Sequence, residues 1–276
     1  MTLASLLAQG RFCGLFALLG LASAAQAAEC GAADLSLHTG VEHSRWQEFN
    51  AQGGQLVDES GLLHRTGLQL EGDCAGLQWA AQWSHARGTR DYDGVSNTNQ
   101  PIQTTSRLRS QQVQLQAWMP VIEGWAVGAR LGWTQLNRDL ASAGNVRGYP
   151  EQFRSIQAAL GGRYTLADLG GLRWTVSGWL GGGPGGTLHL QLPNVDAARL
   201  RLGRSQRAEL GVQVESSDAV DRTGWSWRLG WQLQQEQMRA GRSQAITRNG
   251  LLVGSAAQPK TRQTQMGLDA ALRYRF

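Results

Sequence analysis

Lysine is almost missing from this chain: Lys260 stands alone among 26 lysines and arginines. The basic side is therefore arginine, whose planar fork pairs bidentately with phosphate and carboxylate. Cysteine is scarce as well, at three in 276 residues, which excludes a disulfide-dense scaffold. No spacing of His, Cys, Asp or Glu suits a metal, no nucleophile motif accompanies any of the five histidines, and no cofactor is implied. Past the N-terminus no apolar run approaches the ~20 residues that a membrane helix needs. The mean hydropathy of −0.33 does not exclude a membrane protein, because a barrel strand is only about 9–11 residues long and half of it is polar.

What is present is alternation. Reading back from the end, Phe276, Tyr274, Leu272, Ala270, Leu268 and Met266 are apolar, while Arg275, Arg273, Ala271, Asp269 and Gly267 are polar or small. Period two is the side-chain period of a β-strand, with one face for lipid and one for a polar interior. Nine earlier segments repeat the pattern, at about 34–45, 61–71, 77–88, 107–119, 125–138, 153–165, 172–181, 205–216 and 225–237. Long connections at about 46–60, 89–106, 139–152, 182–204 and 238–261 alternate with short turns. The expected fold is all-β, a transmembrane antiparallel up-and-down barrel of ten strands, with long extracellular loops and short periplasmic turns. Trp79, Trp125, Trp174 and Trp225 lie near the short turns, as an inner interfacial girdle would. A terminal Phe276 with Tyr274 resembles the last strand of bacterial outer-membrane barrels, where that strand is the signal read by the barrel-assembly machinery.

Residues 1–27 read as a cleaved signal peptide: Arg11, an apolar core over 12–22, then Ala25-Gln26-Ala27. Residues 28–276 then form one barrel domain of the bacterial outer membrane, expected to be monomeric. Nucleic acid is not an expected partner of an exported chain. Cys30, just before the first strand, and Cys74, leaving the second, fall at the same rim if those strands pair, so a disulfide between them is expected.

The inward faces carry both charge signs. Glu71, Glu209, Glu215, Glu236 and Asp269 face Arg65, Arg130, Arg163, Arg173, Arg228, Arg273 and Arg275. In a lumen of ten strands such charges pair, so a salt-bridged plug is expected, with a small-solute channel as the alternative. A second arginine set falls at or beyond the inferred outer rim, including Arg87, Arg90, Arg107, Arg138, Arg154, Arg207, Arg239 and Lys260. Of these, Arg107, Arg154 and Arg207 are the candidate contacts for outer-membrane lipid and phosphorylated lipopolysaccharide.

Two stretches resemble the omptins, ten-stranded outer-membrane proteases: Leu160-Gly161-Gly162-Arg163-Tyr164 through Asp168 to Ser177-Gly178-Trp179, and Arg90-Asp91-Tyr92-Asp93. The resemblance implies a surface protease whose Asp-x-Asp pair would be Asp91 and Asp93, and whose rim cations hold lipopolysaccharide. It also implies an Asp-x-His pair after the Ser-Gly-Trp strand. Here His189 is preceded two residues earlier by Thr187, so the base lacks its orienting carboxylate. The expected function is a closed, non-catalytic surface barrel whose extracellular loops bind a surface ligand such as lipopolysaccharide or a host component. A solute channel and an omptin-like hydrolase are the alternatives.

Overall fold

In the first strand, Asp34, Ser36, His38, Glu42, Ser44 and Glu48 are buried, while Leu35, Leu37 and Val41 between them are exposed. This inverts a soluble protein: polar groups pack inside and aliphatic groups face out, as a bilayer requires. The computed structural model describes residues 30–95, 100–166, 168–216 and 224–276. The signal peptide expected over 1–27 lies outside these.

The strands are β1 (Cys30–Phe49), β2 (Gln55–Cys74), β3 (Leu77–Val95), β4 (Pro101–Ile122), β5 (Trp125–Leu140), β6 (Pro150–Thr165), β7 (Leu172–Gly183), β8 (Gly186–Leu190), β9 (Ala198–Arg201), β10 (Ser205–Ser216), β11 (Gly224–Met238), β12 (Gln244–Arg248), β13 (Leu251–Ala256) and β14 (Lys260–Arg275). Ten of them close a barrel: β1 to β7 in sequence, then β10, β11 and β14, which returns to β1. Every pairing is antiparallel, and β1 with β14 runs unbroken from Asp34↔Arg275 to Phe49↔Lys260. Among the described residues these ten strands leave no open edge in the barrel wall, which is what lipid demands.

The connections differ from the expectation. The segments expected as long loops at 46–60 and 89–106 are largely continued strand, whereas 139–152 is strand only at its two ends, 139–140 and 150–152. β1 and β2 stay paired to Phe49↔Gln55, and β3 and β4 to Val95↔Pro101. A membrane takes only about 9–11 residues of each strand, so strands of 19–22 residues stand well clear of it. The segment at 182–204 forms the β8–β9 hairpin. β6 pairs with β7 over residues 158–165 and with β8 over residues 151–155, so the hairpin extends the wall upward. The segment at 238–261 carries the separate β12–β13 hairpin.

At the periplasmic end, Ala75 and Gly76 take positive φ in the two-residue turn that joins Cys74 to Leu77. That is the hairpin geometry whose twist suits its strands. Cys30 pairs with Cys74 in register, and the two form the expected disulfide. Trp125 stacks with Tyr164, and Trp225, Tyr274 and Phe276 make an edge-to-face chain on the outer wall. The Phe276 amide donates to the Ala33 carbonyl, which ties the last residue to β1.

Candidate functional site

The interior is built in layers. Nearest the periplasm, Arg275 grips Asp34 at 2.7 and 2.8 Å. Arg228 meets Glu71 at 2.6 Å and Glu215 at 3.4 Å, and Arg273 meets the same two carboxylates at 3.3 and 3.1 Å. Above them, Arg130 holds Glu209 through both nitrogens at 3.0 and 2.8 Å, and Arg207 adds a contact at 2.9 Å. The Arg130 guanidinium lies 4.5 Å above Trp179, which packs at 4.3 Å on Trp118, over which Arg163 sits at 4.8 Å. Arg65 pairs with Glu42, which also takes Gln265 at 2.5 Å, and Gln157 donates to Glu236 at 2.6 Å. Each carboxylate named here is held by a charge-assisted or amide donor, the condition under which a buried charge is tolerated.

At the extracellular end, Arg138 is buried among Glu48, Glu59 and Glu151, at 3.4, 3.2 and 2.6 Å. Arg90 adds contacts to Glu59 and to the Ser44 hydroxyl, the latter at 2.6 Å. An apolar cluster packs with them: Trp46, Leu63, Leu108, Leu136 and Phe153 from the wall, and Leu188, Leu190, Leu200 and Leu202 from the β8–β9 hairpin and the residue after it. The mouth is thus closed by an apolar layer, and an interior cavity of about 390 Å³ lies below it.

The charged residues that the sequence assigns to the lumen line its cavities, but not as one network. Glu209 belongs with Arg130 and Arg207, and Arg228 with Glu71 and Glu215. Glu236 is hydrogen-bonded and not ion-paired, Arg163 is stacked on a ring, and Asp269 has no cation within 4 Å among the described residues. Arg207, expected at the outer rim, points into the barrel: with Glu209 at the same parity on β10, it cannot reach an external lipid. Arg90 and Arg138 are also interior. Glu48, Glu59, Arg90 and Glu151 lie in segments whose sequence reads as loop, while Glu42 and Arg138 lie within expected strands, Arg138 at the very end of one. The signal was there, since Glu42, Ser44, Trp46 and Glu48 continue the period-two pattern of β1.

Asp91 and Asp93 lie in β3 on the outer parity, alternating with inward Arg90 and Tyr92. His189 is exposed on β8, between inward Leu188 and Leu190. Three strands separate β3 from β8, roughly 19 Å of wall at the usual spacing. The three residues are therefore not brought together.

On the outer wall the apolar band gives way to arginine and glutamine at one height. Val113 is followed by Gln111, Arg109 and Arg107, Ile156 by Arg154, and Met266 by Thr264 and Arg262. Arg87 and Arg109 are direct cross-strand partners, both exposed. Side chains so placed have Cβ atoms about 4.5–5.5 Å apart, where like charges repel. Arg107 is two residues up the same strand, opposite Thr89 and Asp139, and Arg154 donates to Gln135 at 3.1 Å. A second basic stretch, Arg204, Arg239 and Lys260, lines a groove with Phe49 and Met238 at the rim of β1, β10, β11 and β14.

The fold is that of a ten-stranded outer-membrane β-barrel, which supports an outer-membrane location. It resembles the outer membrane protease OmpT of Escherichia coli, with a TM-score of 0.50 at 12% identity over 90% of this chain and 97% of that one. The translocator domain of the autotransporter NalP of Neisseria meningitidis matches at a TM-score of 0.45 and 9% identity, over 99% and 96% of the two chains. The β domain of the Bordetella autotransporter BrkA matches at 0.44 and 14%, over 89% and 100%. No family description and no curated protein matches the sequence.

Proposed function

We propose that this barrel is a closed, non-catalytic surface protein whose outer wall binds the phosphates of lipopolysaccharide. The reading rests on Arg87 and Arg109, set opposite one another just above the apolar band with Arg107 beside them. Two facing guanidiniums repel unless an anion bridges them, and a phosphorylated headgroup at the upper edge of the apolar band would supply one. Arg107 and Arg154 stay in the proposed contact set, and Arg87 and Arg109 join it. The plugged lumen speaks against a solute path, and the separation of Asp91 and Asp93 from His189 speaks against omptin-type hydrolysis. The monomeric state and delivery by the barrel-assembly machinery through Tyr274 and Phe276 belong to the same proposal.

The test is lipopolysaccharide bound to purified barrel, measured as phosphate per protein after detergent washing. The Arg87→Gln/Arg109→Gln variant should retain less than half of the native amount. Equal retention would sink the reading. An Arg207→Gln variant should match native, because Arg207 is inside.

A further inference from the structure

The cavity of about 390 Å³ reaches from the Arg207 layer down to Asp73, Gln78, Arg173 and Arg275 at the periplasmic rim. Its charges are unevenly satisfied. On one side Glu71 and Glu215 are shared by Arg228 and Arg273. On the β6–β7 side the wall carries no acid. Arg163, Thr165, Arg173, Thr175, Ser177 and Gln213 all line the cavity there. Arg163 is in register with Ser177 and Thr165 with Thr175, and Thr175 is in register with Gln213 of β10. The two threonine hydroxyls lie 3.4 Å apart. Among the described residues neither Arg163 nor Arg173 has a carboxylate within 4 Å; Glu215, the cross-strand neighbour of Arg173, is engaged by Arg228 and Arg273.

Two guanidiniums, three hydroxyls and an amide on one confined wall form a donor surface with no anion of its own. A charge removed from bulk water needs a partner, and the guanidinium fork matches a phosphate or carboxylate edge. The apolar layer of Trp46, Phe153 and Leu188 closes the other end, so access is from the periplasm. We infer that the lower lumen is a blind, periplasm-facing cup that binds an oxyanion, the phosphate or carboxylate group of a small solute, on Arg163, Arg173 and the hydroxyls between them.

The experiment is calorimetric titration of the full barrel in neutral detergent at constant ionic strength, with inorganic phosphate in one arm and acetate in the other. Saturable binding of at least one anion is expected. Affinity should fall at least about tenfold in Arg163→Gln/Arg173→Gln, the effect of losing one charge-assisted contact. It should be unchanged in Arg87→Gln/Arg109→Gln, which separates this cup from the outer wall. Binding of phosphate but not acetate assigns a phosphorylated solute; binding of both assigns oxyanions generally. Absence of saturable binding to both, equal affinity in the Arg163/Arg173 variant, or loss of binding in the Arg87/Arg109 variant would overturn the inference. If the Arg163/Arg173 variant does not fold, Thr165→Val/Thr175→Val keeps the charge and removes two donors. Several-fold weaker binding then supports the cup, and native affinity overturns it.

Discussion

At the residue scale, the chain's stability rests on carboxylates that are paired where lipid surrounds the barrel. Breaking one buried pair strands the other charge, at about 3–5 kcal/mol. Glu209→Gln should therefore lower the unfolding free energy of the refolded barrel by that order, read by urea titration in micelles. The double change Arg130→Met/Glu209→Met should cost less than the two single changes together, because no charge is left alone. A second test concerns Asp196, outside the membrane. It accepts the amides of Gly250 and Asn249 at 3.0 and 3.1 Å and the Thr247 hydroxyl at 2.7 Å, which hold its carboxyl below the ordinary carboxylate range. A depressed folded pKa adds stability that is fully present above the unfolded value, about 3.9, and is lost as pH falls through the folded one. Protection of the Asn249 and Gly250 amides, with exchange normalised to the intrinsic rate at each pH, should thus be flat from about pH 5 upward and fall below about pH 4. Asp196→Asn should show the low protection at every pH.

At the element scale, alternation made ten strands legible, and the adjacency of the first two placed Cys30 against Cys74. Reducing that bond, which spans 44 residues, should lower stability by about 2–4 kcal/mol without opening the barrel. The check is thermal unfolding with and without reductant. Strand ends were less legible. Trp46, Glu48, Arg90 and Asp91 lie in segments whose polarity reads as loop, because above the membrane the outward face no longer needs to be apolar. His43, Arg45 and Gln47 replace Leu35, Leu37 and Val41 on the same face of β1, so the contrast that marks a lipid-facing strand fades while the hydrogen-bonded ladder continues. Arg207 is a different case: it lies inside the expected strand 205–216, its parity with inward Glu209 already puts it within, and the register of β10 with β7 and β11 bears that parity out.

At the scale of the molecule, two different barriers close the lumen: paired charges below and an apolar layer above. Cutting the charge layer alone should therefore leave the barrel silent. Planar-bilayer recordings of the native protein and of Arg130→Gln/Glu209→Gln should both show no steps. Replacing residues 186–202 with a short Gly-Ser link, which removes Leu188, Leu190, Leu200 and Leu202 from the mouth, should allow conductance in that charge variant. Native conductance would return the solute-channel reading to first place. The sequence by itself determined the class, because a bilayer imposes one apolar and one polar face on every spanning strand and the residues record it directly. It also determined which strands carry charge inward and which cysteines meet, since both follow from parity and from antiparallel neighbours. Which arginine meets which carboxylate, that Asp91, Asp93 and His189 stand apart, and that Arg163 and Arg173 are left facing a cavity were decided by tertiary structure. Those relations depend on the relative heights of strands far apart in the chain, and the stagger of a closed barrel sets them.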